Sequence, residues 1–170
     1  MDRSVSYTTI DCCRISGSQS LEKILDLGNQ PLANSLKKDA QNGETLFPLS
    51  ISYCPDSSLL QLNETVNKEV IFDHYVWVTG TSAIARSYAD IFANRVIEIT
   101  DLDKEDFVVE IASNDGTFLK PFINRGYFKV LGVDPARNVA ETANQHGIKT
   151  LSDFWSSALA EEIISDYDHA

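Results

Sequence analysis

The chain has 170 residues, of which 43% are hydrophobic and 23% charged, an ordinary composition for a globular protein with room for one domain and a smaller module. Its formal net charge of −11 argues against nucleic acid as a partner, because phosphate binding needs clustered Lys and Arg. No apolar run approaches the roughly 18 residues that span a bilayer, and the first residues lack the apolar core of a secretion signal. Three cysteines, an odd number, make no disulfide framework, so we expect a cytoplasmic protein with no membrane partner.

Residues 1–66 are expected to form a small β-rich module. In its first half, the segment 21–25 predicts one or two helical turns that stop at Gly28 and Pro31. The stretch 37–45 is polar and predicts an exposed loop.

The second half of this module predicts a hairpin. Residues 47–54 alternate apolar with small polar side chains, which is typical of a strand. Residues 59–62 predict the neighbouring strand, and residues 55–58 the turn between the two.

Residues 67–100 predict linker helices. Ser82 is placed to cap a helix in which apolar side chains recur at the i, i+3, i+4 spacing. These apolar positions are Ile84, Ala85, Tyr88, Ala89, Phe92, Ala93 and Val96.

Residues 101–170 predict an α/β unit that follows an acidic loop over 101–106. Strands alternate with helices, which indicates a parallel sheet with right-handed crossovers. The strands are expected near 107–111, 129–133 and 148–151, and the helices over 119–124, 139–146 and 156–165. An open sheet of this kind usually has five or more strands. We therefore expect the chain to be part of a longer protein or an abbreviated one.

The first strand of this unit predicts a ligand site. It ends in Glu110 and a short loop that contains Gly116, and the next strand ends in Asp134. In such sheets the ligand lies at the carboxyl ends of the strands, where a carboxylate can accept hydrogen bonds from ribose hydroxyls. A dinucleotide fingerprint needs three glycines, so NAD and FAD are disfavoured and another adenosine cofactor is favoured. The alternatives are an ordinary loop and, for Asp134, a helix N-cap before Pro135.

The cysteines suggest a degenerate metal site. Cys13 with Ser16, and Cys54 with Ser57, have the spacing of zinc knuckles, but each pair has a serine where a second cysteine would stand. A serine hydroxyl does not ionise near neutral pH, so zinc is not expected. Cys12 could add a third thiolate, but its side chain should diverge from that of Cys13.

The histidines carry weaker signals. Residues 73–77 form an aromatic cluster in which His74 or Tyr75 either packs in a core or lines the cofactor pocket. His146 predicts a surface position at a helix end. His169 lies too near the chain terminus to interpret.

Several segments together resemble the S-adenosylmethionine-dependent C-methyltransferases of nucleotide-linked deoxysugars. The resemblance lies in residues 25–35, 59–62, 72–75 with Ser82, 110–116 and 134–140. It implies a partial class I methyltransferase (Rossmann-like) parallel sheet preceded by a zinc-ribbon-like module.

The resemblance also implies a set of S-adenosylmethionine-binding residues. Glu110 and the loop after it would surround the methionine portion, Asp134 the ribose, and Ala136 and Asn138 the adenosine, while Tyr75 and Ser82 would face the pocket from the linker. The full set is Tyr75, Ser82, Glu110, Ala112, Ser113, Asn114, Asp115, Gly116, Asp134, Pro135, Ala136 and Asn138.

The chain departs from the family in two ways. The family holds zinc with four cysteines, and Ser16 and Ser57 stand at two of those positions here. The module should therefore rely on apolar packing by Leu21, Leu25, Leu27 and Leu62. The family's general base and sugar-binding parts would lie beyond Ala170, on a longer chain or a second one. The alternatives are a methyltransferase for another small molecule and a non-catalytic cofactor-binding or interaction module.

Overall fold

The computed structural model describes residues 7–33, 35, 43–72 and 74–166. The chain divides into two compact units, Met1–Ile71 and Phe72–Ala170. Each unit has its own sheets. The predicted polar loop over 37–45 falls mostly outside the described residues, as do Asp73 and His169. The predicted domain boundaries at 66/67 and 100/101 stay predictions.

The first unit consists of antiparallel strands in two sheets. One sheet pairs β1 with β5, and the other has the order β2-β3-β4. The strands are β1 (Tyr7–Thr9), β2 (Glu22–Pro31), β3 (Leu46–Cys54), β4 (Leu59–Leu62) and β5 (Glu64–Val66). The predicted hairpin of β3 and β4 is confirmed, with Cys54 opposite Leu59 across the turn at residues 55–58.

The helical turns predicted over 21–25 are wrong, because this segment belongs to strand β2. A helix of one or two turns is marginal in water, whereas pairing with β3 gives Glu22, Lys23 and Leu25 partners across the sheet. The register shifts twice along the pair, between Lys23 and Leu25 and between Asp26 and Asn29. Gly28 lies in the second irregularity with a φ of 65°, which glycine adopts at little cost.

The predicted leucine packing of the first unit is also wrong. Leu25 and Leu27 lie on β2, whose residues are all exposed on both faces. Leu62, at the end of β4, is also exposed, and Leu21, directly before β2, is only half-buried. The buried side chains are instead mostly polar or sulfur-containing. They are Cys13, Phe47, Ser50, Ser52, Cys54, Gln61 and Asn63.

Helices follow the first unit's strands and lead to the second sheet. They are α1 (Lys68–Phe72), a single 3-10 turn (Thr79–Thr81) and α2 (Ala83–Thr100). The predicted cap is confirmed, since the Ala85 N–H donates to Ser82 Oγ at 3.2 Å. Of the seven predicted apolar positions on α2, only Ala89 and Ala93 are buried.

The second unit contains a parallel sheet in the order β6-β7-β8 with helices between its strands. The elements are β6 (Val108–Ile111), α3 (Lys120–Asn124), β7 (Val130–Val133), α4 (Arg137–Gln145), β8 (Thr150–Leu151) and α5 (Ser157–Asp166). This confirms the predicted fold class, an α/β chain with a partial Rossmann-like sheet after an antiparallel β-rich region. No helix in the described part of the chain is long and apolar enough to cross a membrane.

Two apolar clusters form the core of the second unit. The first gathers buried residues from α2, α3, α4 and the loops around them, including Leu119, Phe122 and Ile148. The second joins Leu131 and Val133 of β7 to the buried face of α5. Because β7 is the central strand and is buried on both faces, it fixes the position of the loop at its carboxyl end.

Candidate functional site

The loop after β6 is held to the end of the neighbouring strand. The backbone N–H groups of Ala112 and Ser113 both donate to the Val133 carbonyl, at 2.7 and 3.2 Å. Ala112, Asn114 and Gly116 all have φ values between 52° and 76°, a left-handed conformation that side chains rarely adopt. A Cβ on Gly116 would lie 2.7 Å from Ile148 Cδ1, so this position requires glycine.

At this edge of the sheet the carboxyl groups of Asp115 and Asp134 lie close enough to Glu110 to act on its charge; these three residues are here called the acidic edge. Burial, and to a smaller extent the charges of Asp115 and Asp134, together raise the pKa of Glu110 to about 8. Its Oε2 atom is buried without a hydrogen-bond partner among the described residues, and so is Ser113 Oγ. Buried polar atoms are normally paired, so these two atoms indicate a place for ligand groups.

Asp134 is 6% exposed and already accepts two backbone hydrogen bonds. Its Oδ2 atom accepts from the Asn114 N–H at 2.8 Å, and its Oδ1 atom from the Ala136 N–H at 2.9 Å. The alternative of Asp134 as a helix N-cap is wrong, because α4 starts at Arg137 and Ala136 is its N-cap. A carboxylate has about four acceptor positions, so Asp134 retains acceptor capacity for a ligand.

Residues 75–80, here called the strap, are bound to this site by two asparagine side chains. Asn138 accepts from the Tyr75 N–H at 3.0 Å and donates to the Tyr75 carbonyl at 2.8 Å. Asn114 accepts from the Thr79 N–H at 2.9 Å and donates to the Trp77 carbonyl at 3.0 Å. Each amide thus pairs with backbone on both of its ends, which fixes its orientation.

A third contact joins the strap to the acidic edge. The Gly80 N–H donates to Asp115 Oδ2 at 3.0 Å. A Cβ at Gly80 would collide with that oxygen and lie 2.8 Å from Thr117 Oγ1, so the close approach favours glycine. Gly80 and Thr117 were not among the predicted site residues. The signal available in the sequence was a lone glycine between two threonines, directly before the cap of α2.

The structure brings most of the predicted site residues together. Glu110, Ser113, Asn114, Asp115, Gly116, Asp134 and Ala136 lie at the joined ends of β6 and β7, with Pro135 half-buried between the last two. Tyr75 and Asn138 contact each other through backbone and amide. Ala112 is exposed in the loop, and the Ser82 hydroxyl is used in capping α2. Their roles as ligands stay predictions.

The histidines and the aromatic cluster at residues 74–77 have other predicted positions. His146 is exposed at the end of α4, as expected of a surface residue. His74 is exposed and Tyr75 half-buried; the Tyr75 ring lies 6.4 Å from that of Phe72. Trp77 is also exposed, so residues 74–77 do not pack in a core.

In the first unit, the four residues with zinc-knuckle spacing come together: Cys13, Ser16, Cys54 and Ser57. Cys13 Sγ lies 3.1 Å from Ser57 Oγ, and Cys54 Sγ lies 3.6 Å from Ser16 Oγ. Hydrogen bonding by the side chain of Ser16, then by its backbone N–H and by the Ser57 hydroxyl, lowers the pKa of Cys13 to about 6. Cys12 is a separate, half-buried thiol whose backbone carbonyl accepts from Gln61.

Two comparisons relate this chain to known proteins. Residues 13–72 match a family described as "Putative zinc binding domain". The chain is also 35% identical, over 156 residues, to the C-methyltransferase NovU of Streptomyces niveus. The match covers 91% of this chain and 37% of NovU, so the chain spans little more than a third of the length of that relative.

Proposed function

We propose that this chain is related to the sugar C-methyltransferases and that its second unit binds S-adenosylmethionine at the acidic edge for methyl transfer. The identity to a C-methyltransferase supports the reaction class, and the acidic edge supports the cofactor. The two sources are independent, since one is sequence identity and the other is the chemistry of unpartnered atoms.

The single observation that carries the proposal is the unpartnered Oε2 atom of Glu110 between two further carboxylates. Such a site repels phosphate and favours a cation, because Asp115 and Asp134 are negatively charged and Glu110 can ionise when a cation binds beside it. S-adenosylmethionine carries an α-ammonium and a sulfonium, and no phosphate. A dinucleotide would bring its pyrophosphate to this same loop, where it would meet negative charge.

The other predicted residues have complementary chemistry. Asp134 keeps acceptor capacity beyond its two backbone bonds, which suits the paired hydroxyls of a ribose. Ser113 Oγ can donate to or accept from a ligand, since it has no partner among the described residues. The left-handed residues of the loop let the backbone approach a ligand closely.

When bound, S-adenosylmethionine supplies a methyl group activated by its sulfonium charge. The residues described here hold and orient the ligand. Asn114 and Asp115 are themselves held by the strap, through Trp77, Thr79 and Gly80, so their side chains are positioned before a ligand binds. Positioning of this kind lowers the entropic cost of bringing reactants together.

We extend the proposal to a nucleotide-linked keto-deoxysugar as the acceptor and to the cytoplasm as the location. The relative NovU is a C-methyltransferase, which supports transfer to carbon. A carbon next to a keto group is acidic enough for a general base to make it nucleophilic. Cys12, Cys13 and Cys54 are all free thiols, which suits a reducing compartment.

Calorimetric titration with S-adenosylmethionine and S-adenosylhomocysteine tests the cofactor assignment. We expect binding by the natural chain and a loss of about tenfold or more in affinity for Glu110→Gln, because a charge-assisted hydrogen bond contributes roughly 1.5–3 kcal/mol. Asp134→Asn should weaken binding in the same direction. Glu141→Gln is the matched control, because Glu141 is an exposed carboxylate on α4 outside the acidic edge.

Equal affinities for the natural chain, Glu110→Gln and Asp134→Asn would overturn the assignment. Methyl transfer is tested separately, by incubating the chain with labelled cofactor and a nucleotide-linked 4-keto-deoxysugar. Label in the sugar supports the enzymatic proposal. Cofactor binding without label in any keto-sugar would favour a cofactor-binding module instead.

A further inference from the structure

The knuckle cluster of the first unit, Cys13, Ser16, Cys54 and Ser57, has the layout of a four-ligand metal site but a different chemistry. Two tight turns, at residues 13–17 and 54–58, each contribute their first and fourth side chains. Each sulfur faces a hydroxyl of the opposite turn, at 3.1 Å for Cys13 with Ser57 and 3.6 Å for Cys54 with Ser16. The Ser16 N–H also donates to Cys13 Sγ at 3.5 Å.

These donors do not fit a structural zinc ion. Structural zinc is held by four thiolates or imidazoles, and a hydroxyl does not ionise under the same conditions. Only two sulfurs are present in the cluster. Throughout residues 7–33, 35, 43–72 and 74–166, no group of three or more His, Cys, Asp or Glu side chains is arranged to hold a metal.

We propose that the knuckle cluster is a metal-free cross-link, in which sulfur–hydroxyl hydrogen bonds join the two turns where a metal ion joins them in zinc-binding relatives. Cys13 is 2% exposed and Cys54 is 0% exposed, so the sulfurs are shielded from water. The two sulfur–hydroxyl contacts are part-buried, and partial burial lowers the local dielectric constant and strengthens a hydrogen bond relative to one at the surface.

Neighbouring contacts support the first turn without a metal. Gln61 of β4 accepts from the Arg14 N–H and donates to the Cys12 carbonyl, both at 3.0 Å. The Arg14 guanidinium donates to the Leu62 carbonyl at 3.2 Å and to Thr65 Oγ1 at 2.9 Å. The turn is therefore attached to β4 and β5 by direct hydrogen bonds.

The main experiment compares metal binding by the natural chain and by Ser16→Cys/Ser57→Cys, which places sulfur at all four positions. Proteins are purified without chelator and titrated with Zn²⁺ and, as a spectroscopic probe, Co²⁺. We expect no stoichiometric metal in the natural chain. In the double variant we expect one metal ion per chain, with the thiolate-to-cobalt absorption of a tetrahedral site.

The matched control is Ser20→Cys/Ser152→Cys, which adds two thiols at exposed positions outside the cluster. It should show no tetrathiolate cobalt spectrum. A folded Ser16→Cys/Ser57→Cys chain that binds no metal would overturn the proposed layout. One equivalent of zinc in the natural chain, or a fall in its unfolding temperature on adding EDTA, would overturn the proposed absence of metal.

A second variant keeps the proposal testable if the double variant does not fold. Ser57→Ala removes the hydroxyl paired with Cys13 and should lower the unfolding temperature by a few degrees, equally with and without EDTA. Ser20→Ala should leave that temperature unchanged. An unchanged temperature for Ser57→Ala would show that the hydroxyl does not contribute to the cross-link.

Discussion

The two units of this chain are stabilised by different kinds of interior. In the second unit, Leu131, Val133, Leu119 and Val139 are almost fully buried and pack with other apolar side chains. In the first unit, the buried positions are mostly serine, glutamine, asparagine and cysteine, with Phe47 as the main apolar exception. A buried polar group is favourable only when its hydrogen bonds are made. The first unit therefore depends on specific hydrogen bonds where the second depends on apolar packing.

The largest effect should come from a truncation in the apolar interior. Leu131→Ala should lower the free energy of unfolding of the second unit by about 2–5 kcal/mol, because it removes a fully buried side chain from the central strand. Leu60 of the first unit is 62% exposed, and Leu60→Ala should cost less than about 0.5 kcal/mol. Urea unfolding of both variants measures the difference. Similar losses would contradict the contrast between the two units.

A pH-dependent effect should follow from Glu110. Its pKa rises from an ordinary value of 4.5 to about 8 on folding, so the folded state binds the proton more tightly. Below pH 4.5 the Glu110 carboxyl is protonated in both the folded and the unfolded chain. The free energy of unfolding then falls as the pH rises from 4.5 through 8. Glu110→Gln should therefore match the natural chain near pH 4.5 and be more stable above pH 8, by roughly 1–4 kcal/mol.

Thermal unfolding across this pH range measures the Glu110 effect, with Glu141→Gln as the control for removing an exposed carboxylate. A difference between Glu110→Gln and the natural chain that stays constant with pH would show that Glu110 keeps an ordinary pKa. This result would also remove the electrostatic basis for a cation site at the acidic edge.

A smaller loss should follow from breaking one hydrogen-bond network in the polar interior. Ser50 Oγ accepts from Asn63 Nδ2 at 2.7 Å and donates to the Glu64 carboxylate at 3.0 Å. Ser50→Ala leaves Asn63 without this acceptor and should cost about 1–3 kcal/mol in the first unit. Ser20→Ala, at an exposed position, should cost almost nothing. Equal unfolding curves for the two variants would argue against a hydrogen-bonded interior.

The smallest effect on stability should come from the strap. Asn138→Ala removes both bonds to the Tyr75 backbone and should cost about 1 kcal/mol. Its effect on cofactor affinity should be several-fold, because the strap positions Asn114 and Asp115. Asn124→Ala, at an exposed residue of α3, is the control. An Asn138→Ala variant with unchanged affinity would separate the strap from ligand binding.

The elements that could be predicted from the sequence are those with a local signal. The alternation over β3 and β4, the Ser82 cap and the strand–helix order of the second unit depend on neighbouring residues, and the structure confirms them. Strand β2 has no such pattern, because as an exposed edge strand it lacks the alternation that burial of one face produces. Its structure is determined by pairing with β3, which the local sequence does not encode.

The candidate site was predictable to a similar extent. Glu110, Asp134 and the loop between β6 and α3 follow from strand ends and turn residues. The strap contacts join residues 35 to 63 positions apart, as in Thr79 with Asn114 and Tyr75 with Asn138. Pairing over such distances depends on the tertiary fold. For this reason the contact of Gly80 with Asp115, and the two hydrogen bonds of Asn138 to the Tyr75 backbone, could not be predicted from the sequence.

The most direct test of the cofactor site is the number of protons released when S-adenosylmethionine binds at pH 7. Titrations in buffers of different ionisation enthalpy give this number. Glu110 is mostly protonated at pH 7 in the free chain and should ionise when a cation binds beside it. We predict that the natural chain releases more protons than Glu110→Gln, with a difference approaching one, and binds more tightly. Equal proton release and equal affinity in the two proteins would contradict the account.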